Sequence, residues 1–141
     1  VARYVTDFPD EKIATAKNVI ALPHLGASTP ESEENCAVMA VRELEDYLVN
    51  GNIRNSVNLP NLVQEWSGIS RLCIIHKNVP AMLTNIMSTL SDDGINVENM
   101  TNKSKKDYAY TMVDVNTRIT DEVANEIRAI PGVIRVRVLN H

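Results

Sequence analysis

Between Arg71 and Val97 the order of apolar and polar residues leaves few local structures open. Leu72-Cys73-Ile74-Ile75 is a short apolar run, bounded by the polar His76-Lys77-Asn78, and fits a buried strand. Pro80 follows, a residue tolerated in the first turn of a helix, and residues 81–92 then place Leu83, Ile86, Met87 and Leu90 at helical spacing. Gly94-Ile95-Asn96-Val97 turns the chain into a second strand. Residues 97–104 and 108–115 read as a hairpin around Lys105-Lys106-Asp107. Thr120 is placed to cap a second helix carrying Val123, Ile127 and Ile130 inward, and Pro131-Gly132 ends it. Residues 133–139 alternate as a last strand, with Arg135 and Arg137 on its wetter face.

Strand, helix, strand, strand, helix, strand is the ferredoxin-like order, an α/β (α+β) fold with two helices on one face of a four-stranded antiparallel sheet. At about 70 residues such a domain is near the lower limit for a single core. A bare second sheet face and a free edge strand favour pairing with another copy, so a dimer is expected.

The first 60 residues are of a different kind. Residues 2–6 and 19–22 are short apolar stretches separated by the polar loop from Asp7 to Asn18. Ser28-Thr29-Pro30-Glu31 is a helix start, with Ser28 as cap and Glu31 reaching back in a capping box. The helix should run to about Val49, with Cys36, Ala40, Leu44, Tyr47 and Leu48 on one face and Arg42, Glu43, Glu45 and Asp46 on the other. Gly51 is its expected terminator. One helix and two short strands bury too little to fold alone. Residues 1–60 therefore read as the remnant of a larger domain, 61–69 (with Trp66) as a linker, and 70–141 as a self-contained domain. The opening Val1-Ala2-Arg3, without an initiator methionine, is expected to mark a fragment.

Composition excludes several function classes. The chain has 141 residues, 44% of them hydrophobic and 23% charged, with a formal net charge of −4. A nucleic-acid partner would need a concentrated basic face, and the Lys103–Lys106 cluster beside Asp107 reads instead as a solvated hairpin tip. No apolar run approaches the roughly 20 residues of a membrane helix, and no signal peptide is evident, so a cytoplasmic protein is expected. Cys36 and Cys73 read as buried free thiols of a reducing compartment. No Cys or His pair has ligand spacing, and no metal is expected.

Two stretches carry resemblances. Leu22-Pro23-His24-Leu25-Gly26-Ala27-Ser28-Thr29 resembles the catalytic-histidine motif of the D-isomer-specific 2-hydroxyacid dehydrogenases. Residues 71–139, with His76, Asn78 and Asn96, resemble an ACT domain, the small-ligand regulatory module of many amino-acid pathway enzymes. In this order they resemble the C-terminal part of the D-3-phosphoglycerate dehydrogenases, the NAD-dependent enzymes of serine biosynthesis. That resemblance makes His24 the acid–base histidine and Glu11 the carboxylate behind it. The loop Asp7-Phe8-Pro9-Asp10-Glu11 is shortened, so Asp10 or Asp7 stay open as alternatives. Asp7 also matches an aspartate that contacts the cofactor's carboxamide. NAD belongs to the parent enzyme: the chain has no G-x-G-x-x-G turn and lacks the family's substrate-carboxylate arginine. No bound NAD and no turnover are expected of the fragment alone.

The resemblance further implies that His76, Asn78 and Asn96 hold an amino-acid effector, L-serine, between paired ACT domains of a homo-oligomer. Taken singly these residues have plainer readings: Asn78 as a helix cap, Asn96 as a turn residue, His76 as a satisfied strand-end histidine. Ala81 stands where the family carries glycine directly after the proline, and its methyl group narrows the expected pocket. Two alternatives stay open: a purely structural oligomerisation module, and the ACT domain of a related 2-hydroxyacid dehydrogenase tuned to another amino acid.

Overall fold

The computed structural model describes residues 2–140. The chain divides into two compact units, Val1–Ala40 and Val41–His141.

In the first unit β1 (Tyr4–Thr6) pairs in parallel with β2 (Val19–Ala21), and α1 (Glu11–Ala14) lies between them in the chain. This one-turn helix falls in the segment expected to be loop. The Asp10 carboxylate caps it, accepting a hydrogen bond from the Ile13 amide at 2.7 Å. The long helix α2 (Pro30–Asn50) begins in this unit, and Thr29, not Ser28, caps it by accepting from the Ser32 amide at 3.2 Å. Pro30 has no amide hydrogen and takes the first helical position, which makes the residue just before it the cap. None of the described residues of this unit is buried. Cys36, expected inside, is exposed on α2.

The second unit contains β3 (Ser70–Lys77), α3 (Met82–Asp92), β4 (Val97–Lys105), β5 (Tyr108–Val115), α4 (Asp121–Ala129) and β6 (Val133–Asn140). The sheet order is β4-β5-β3-β6, every neighbouring pair antiparallel. This is the ferredoxin-like arrangement read from the sequence. Thr120 caps α4 as expected, accepting from the Val123 amide. One sheet face supplies Leu72, Ile74, Val113, Val115 and Val136 to a core closed by Met82, Ile86 and Leu90 of α3 and by Val123 and Ile127 of α4. Each such side chain contributes about 1.5–3 kcal/mol by leaving water. Leu83 and Met87, expected inside with Ile86 and Leu90, are only half-buried; Met82 takes the inner place.

The opposite sheet face is not bare. Ile53 and Leu62 bridge one another and pack, with Tyr47 and Leu59, on Cys73, Tyr110 and Met112. Residues 51–66 thus form a strap across the face that the sequence had left open for a second copy, and residues 61–69 do not behave as a free linker. The compact unit starts inside α2 rather than near Pro60. Gly51 allows the strap to leave α2: its φ is +77°, and a Cβ there would collide with Cys73 Sγ. Its carbonyl accepts the buried Tyr110 hydroxyl at 2.6 Å.

Two arginines bind the end of α2 and the strap to the sheet. Arg137, expected in water, donates to the Tyr47 and Leu48 carbonyls at 3.1 and 2.9 Å, with its guanidinium 4.4 Å from the Tyr47 ring centre. Arg71 is fully buried. Its five donors reach Asp114 Oδ1 and Oδ2 and the carbonyls of Asn50, Gln64 and Glu65, all within 3.0 Å. The carbonyls of Tyr47, Leu48 and Asn50 at the helix C-terminus thereby find cationic donors, the arrangement that the helix dipole favours.

Candidate functional site

The catalytic-histidine motif follows β2. The Leu22 amide donates to the Thr6 carbonyl at 2.9 Å, so the pairing with β1 continues one residue past β2, and the chain then brings Asp7 and His24 side by side. His24 Nδ1 lies 2.7 Å from Asp7 Oδ2, and the Phe8 ring packs on the imidazole with centroids 4.2 Å apart. A carboxylate on Nδ1 fixes the tautomer that leaves Nε2 outward for proton exchange. Glu11, the first choice from the sequence, opens α1, and the carboxylate beside His24 is Asp7. Asp7, read as a cofactor contact, here holds the histidine. Both side chains are about half exposed.

The effector residues behave in three different ways. His76 is buried at 2% exposure and both ring nitrogens are engaged. Nδ1 sits 2.8 Å from the Lys77 carbonyl and so carries a proton; Nε2 lies 2.8 Å from the Thr111 hydroxyl. Thr111 Oγ1 is in turn 2.8 Å from the Asn102 side-chain amide. His76 therefore shapes the loop after β3 from within instead of facing solvent. Asn78 is exposed in that loop, donating from Nδ2 to the Lys106 carbonyl at 3.2 Å and from its backbone to the Asp107 carbonyl at 2.8 Å. It does not cap α3. The residue at that cap is Ala81, in the left-handed region at φ +63°, ψ +1°, with no side-chain cap for the helix. Asn96 is also exposed, its Nδ2 3.3 Å from Glu98 Oε1 and its carbonyl accepting from the Asn116 amide at 3.2 Å.

Asn78 and Asn96 do not meet within one chain. β3 and β4 are both antiparallel to β5 and so run in the same direction. Asn78 sits beyond the end of β3, against the Lys106–Asp107 tip, whereas Asn96 sits before the start of β4, against Asn116. The nine residues of β4 separate those two ends, which at about 3.3 Å per residue is roughly 30 Å. Asn78 and Asn96 thus lie beside strands that β5 separates, and at opposite ends of the sheet.

Arg71 and Asp114 were not singled out from the sequence. Burial pushes the Asp114 carboxyl up, and the opposing hydrogen bonds and charge of Arg71, with the Gln64 and Ser67 donors, hold it net below the usual carboxylate range. Asp46 is likewise lowered: burial raises it, while donors from Asn50, Asn52 and Arg54 outweigh that effect. Burial pushes both the Cys73 thiol and the Tyr110 hydroxyl up. Among the described residues no cluster of His, Cys, Asp and Glu could hold a metal, and no helix is long and apolar enough to cross a membrane.

No protein-family model matches the chain. Among solved structures, the ACT domain of a Chlorobium tepidum GTP pyrophosphokinase is 18% identical, covering 50% of this chain and 95% of that one at a TM-score of 0.44. The regulatory subunit of Thermus thermophilus aspartate kinase is 12% identical, covering 49% and 48% at 0.42. D-3-phosphoglycerate dehydrogenase of Escherichia coli K12 is 31% identical over 124 residues, 86% of this chain and 30% of that protein. The Haemophilus influenzae enzyme is 32% identical over 123 residues with the same coverage, and that of Dictyostelium discoideum 29% over 143 residues, 94% of this chain and 35% of the enzyme. The chain is accordingly related in sequence to the D-3-phosphoglycerate dehydrogenases and corresponds to their C-terminal part, about a third of those proteins' length.

Proposed function

We propose that residues 70–141 form the regulatory ACT domain of an NAD-dependent D-3-phosphoglycerate dehydrogenase of cytoplasmic serine biosynthesis, pairing with a second copy and taking L-serine as feedback effector. The observation that carries this reading is the separation of Asn78 from Asn96. Two exposed asparagines able to donate and accept suit an ammonium and a carboxylate, yet a single chain holds them at opposite sheet ends. A two-fold operation that sets the exposed edge strand β4 antiparallel to that of a second copy brings the Asn96 end of one to the Asn78 end of the other. The strap leaves edge and helix surfaces, not the second sheet face, for that pairing. His76 then acts as a positioning residue, holding the Lys77 carbonyl and through it the loop that carries Asn78. Feedback requires the effector to favour one arrangement of the pair, a coupling of about 1–3 kcal/mol.

His24 with Asp7 belongs, on this reading, to the parent's hydride-transfer site, where the imidazole exchanges the proton of a C2 hydroxyl. NAD serves that parent, and turnover by this chain alone is not expected.

A second reading is a structural oligomerisation module that binds nothing, and Ala81 favours it. Calorimetric titration with L-serine, against glycine and D-serine, separates the two. Stereospecific saturable heat supports the effector site; silence at high serine concentration supports the structural module.

A further inference from the structure

We propose that the β4–β5 hairpin tip, residues 105–108, is a relay that transmits the state of the Asn78 loop to the strap and thence to α2. The tip is bonded on both sides. On one side Asn78 donates to the Lys106 carbonyl from its side chain and to the Asp107 carbonyl from its backbone. On the other, Lys105 Nζ donates to the carbonyls of Ser56 and Val57, each at 3.0 Å, across 49 and 48 residues of chain. The strap continues to α2 within two residues. Asn55 Nδ2 donates to Glu43 Oε1 at 2.6 Å, and Arg54 Nε lies 3.4 Å from Asp46 Oδ2, the same carboxylate that accepts from Asn52.

Two features make the tip suited to switching. Lys106 is a non-glycine residue at φ +57°, a conformation that persists only while its surroundings hold it. A cavity of about 200 Å³, lined by Val57, Asn58, Lys105, Lys106, Asp107 and Tyr108, separates tip from strap and leaves the tip room to shift. Lys105 is the one side chain among these that spans the gap with hydrogen bonds. A ligand that draws the Asn78 amide away from Lys106 loosens the tip and, through Lys105, the carbonyls of Ser56 and Val57. The inference rests on Asn78 being an effector contact, but its mechanical part stands without any ligand.

Hydrogen exchange on the whole chain tests it, with Lys105→Met, an exposed site where the aliphatic stem is kept and the two bonds are lost. L-serine at saturation should alter exchange at residues 55–59 by about three- to tenfold in the unmodified chain, the scale of one ordinary hydrogen bond. Lys105→Met should bind serine equally yet lose that response. An undiminished response in Lys105→Met overturns the relay. If the unmodified chain binds no serine, the effector reading fails by itself and the relay is read without ligand. Asn78→Ala should then speed exchange at residues 55–59 with Lys105 present and add nothing in the Lys105→Met background. Strap exchange indifferent to Asn78→Ala overturns the relay in that case.

Discussion

Replacing Ala81 with glycine should stabilise the domain, against the usual sign for an alanine-to-glycine change. Ala81 sits at the start of α3 at φ +63°, ψ +1°. An L-residue with a Cβ in that region carries roughly 1–2 kcal/mol of steric cost, which glycine does not. Glycine gives back part of this through its freer unfolded chain, about 0.4–1 kcal/mol. The methyl group is exposed, so its removal forfeits almost no burial. The balance is a gain of about 0.5–1 kcal/mol, or some 2–8 °C in Tm for a domain of this size. Urea denaturation followed by Trp66 fluorescence reads it directly. A loss of 0.5 kcal/mol or more, the ordinary cost of glycine for alanine, would refute the left-handed assignment and the strain argument with it. The same variant removes the methyl group that the family resemblance sets against the expected pocket, so serine titration of Ala81→Gly also asks whether that methyl limits binding.

Arg71→Met should cost about 3–5 kcal/mol, because it leaves the Asp114 carboxylate buried without its cation and orphans the carbonyls of Asn50, Gln64 and Glu65; a urea midpoint close to that of the unmodified chain would contradict the clamp. The pH dependence follows from Asp46 and Asp114, whose folded pKa values lie below the ordinary one. Their contribution is present above the unfolded value of about 3.9 and is lost as pH falls through the depressed folded values. Stability should therefore be nearly flat from pH 7 to about 5 and fall below about 4, a fall that Asp114→Asn, from its lower baseline, should make shallower.

The domain was legible where periodicity is strong and local. Leu72 to Ile75, the Ile86 and Leu90 spacing, and Thr120 before Val123 each name their element without help from the rest of the chain. The strap was not legible, because Ile53 and Leu62 lie nine residues apart among asparagines and a proline and gain their meaning only from the sheet face beneath. Arg137 was misjudged, and Arg71 passed over, for a related reason. Charge in a strand reads as solvent-facing, while here the strap and the end of α2 bring the acceptors to the arginines. The Arg71–Asp114 pair left one signal, since the two residues stand opposite in an antiparallel pairing whose apolar neighbours were already assigned. The separation of Asn78 from Asn96 needed no structure: a strand, a helix and a second strand in the same direction carry the chain back to the opposite sheet end. The Asp7–His24 contact did need it, because α1 removes Glu11 from the loop.

The central claim is that the effector site is built from two copies. Asn78→Ala and Asn96→Ala chains, each silent toward L-serine alone, should recover binding when unfolded together and refolded. Half of the resulting dimers combine one chain of each kind and carry one intact site out of two, about a quarter of the sites of the unmodified protein. Recovery of stereospecific serine binding near that fraction is the predicted result. Binding that stays silent in the mixture, while the unmodified chain binds serine, would contradict a site shared between copies.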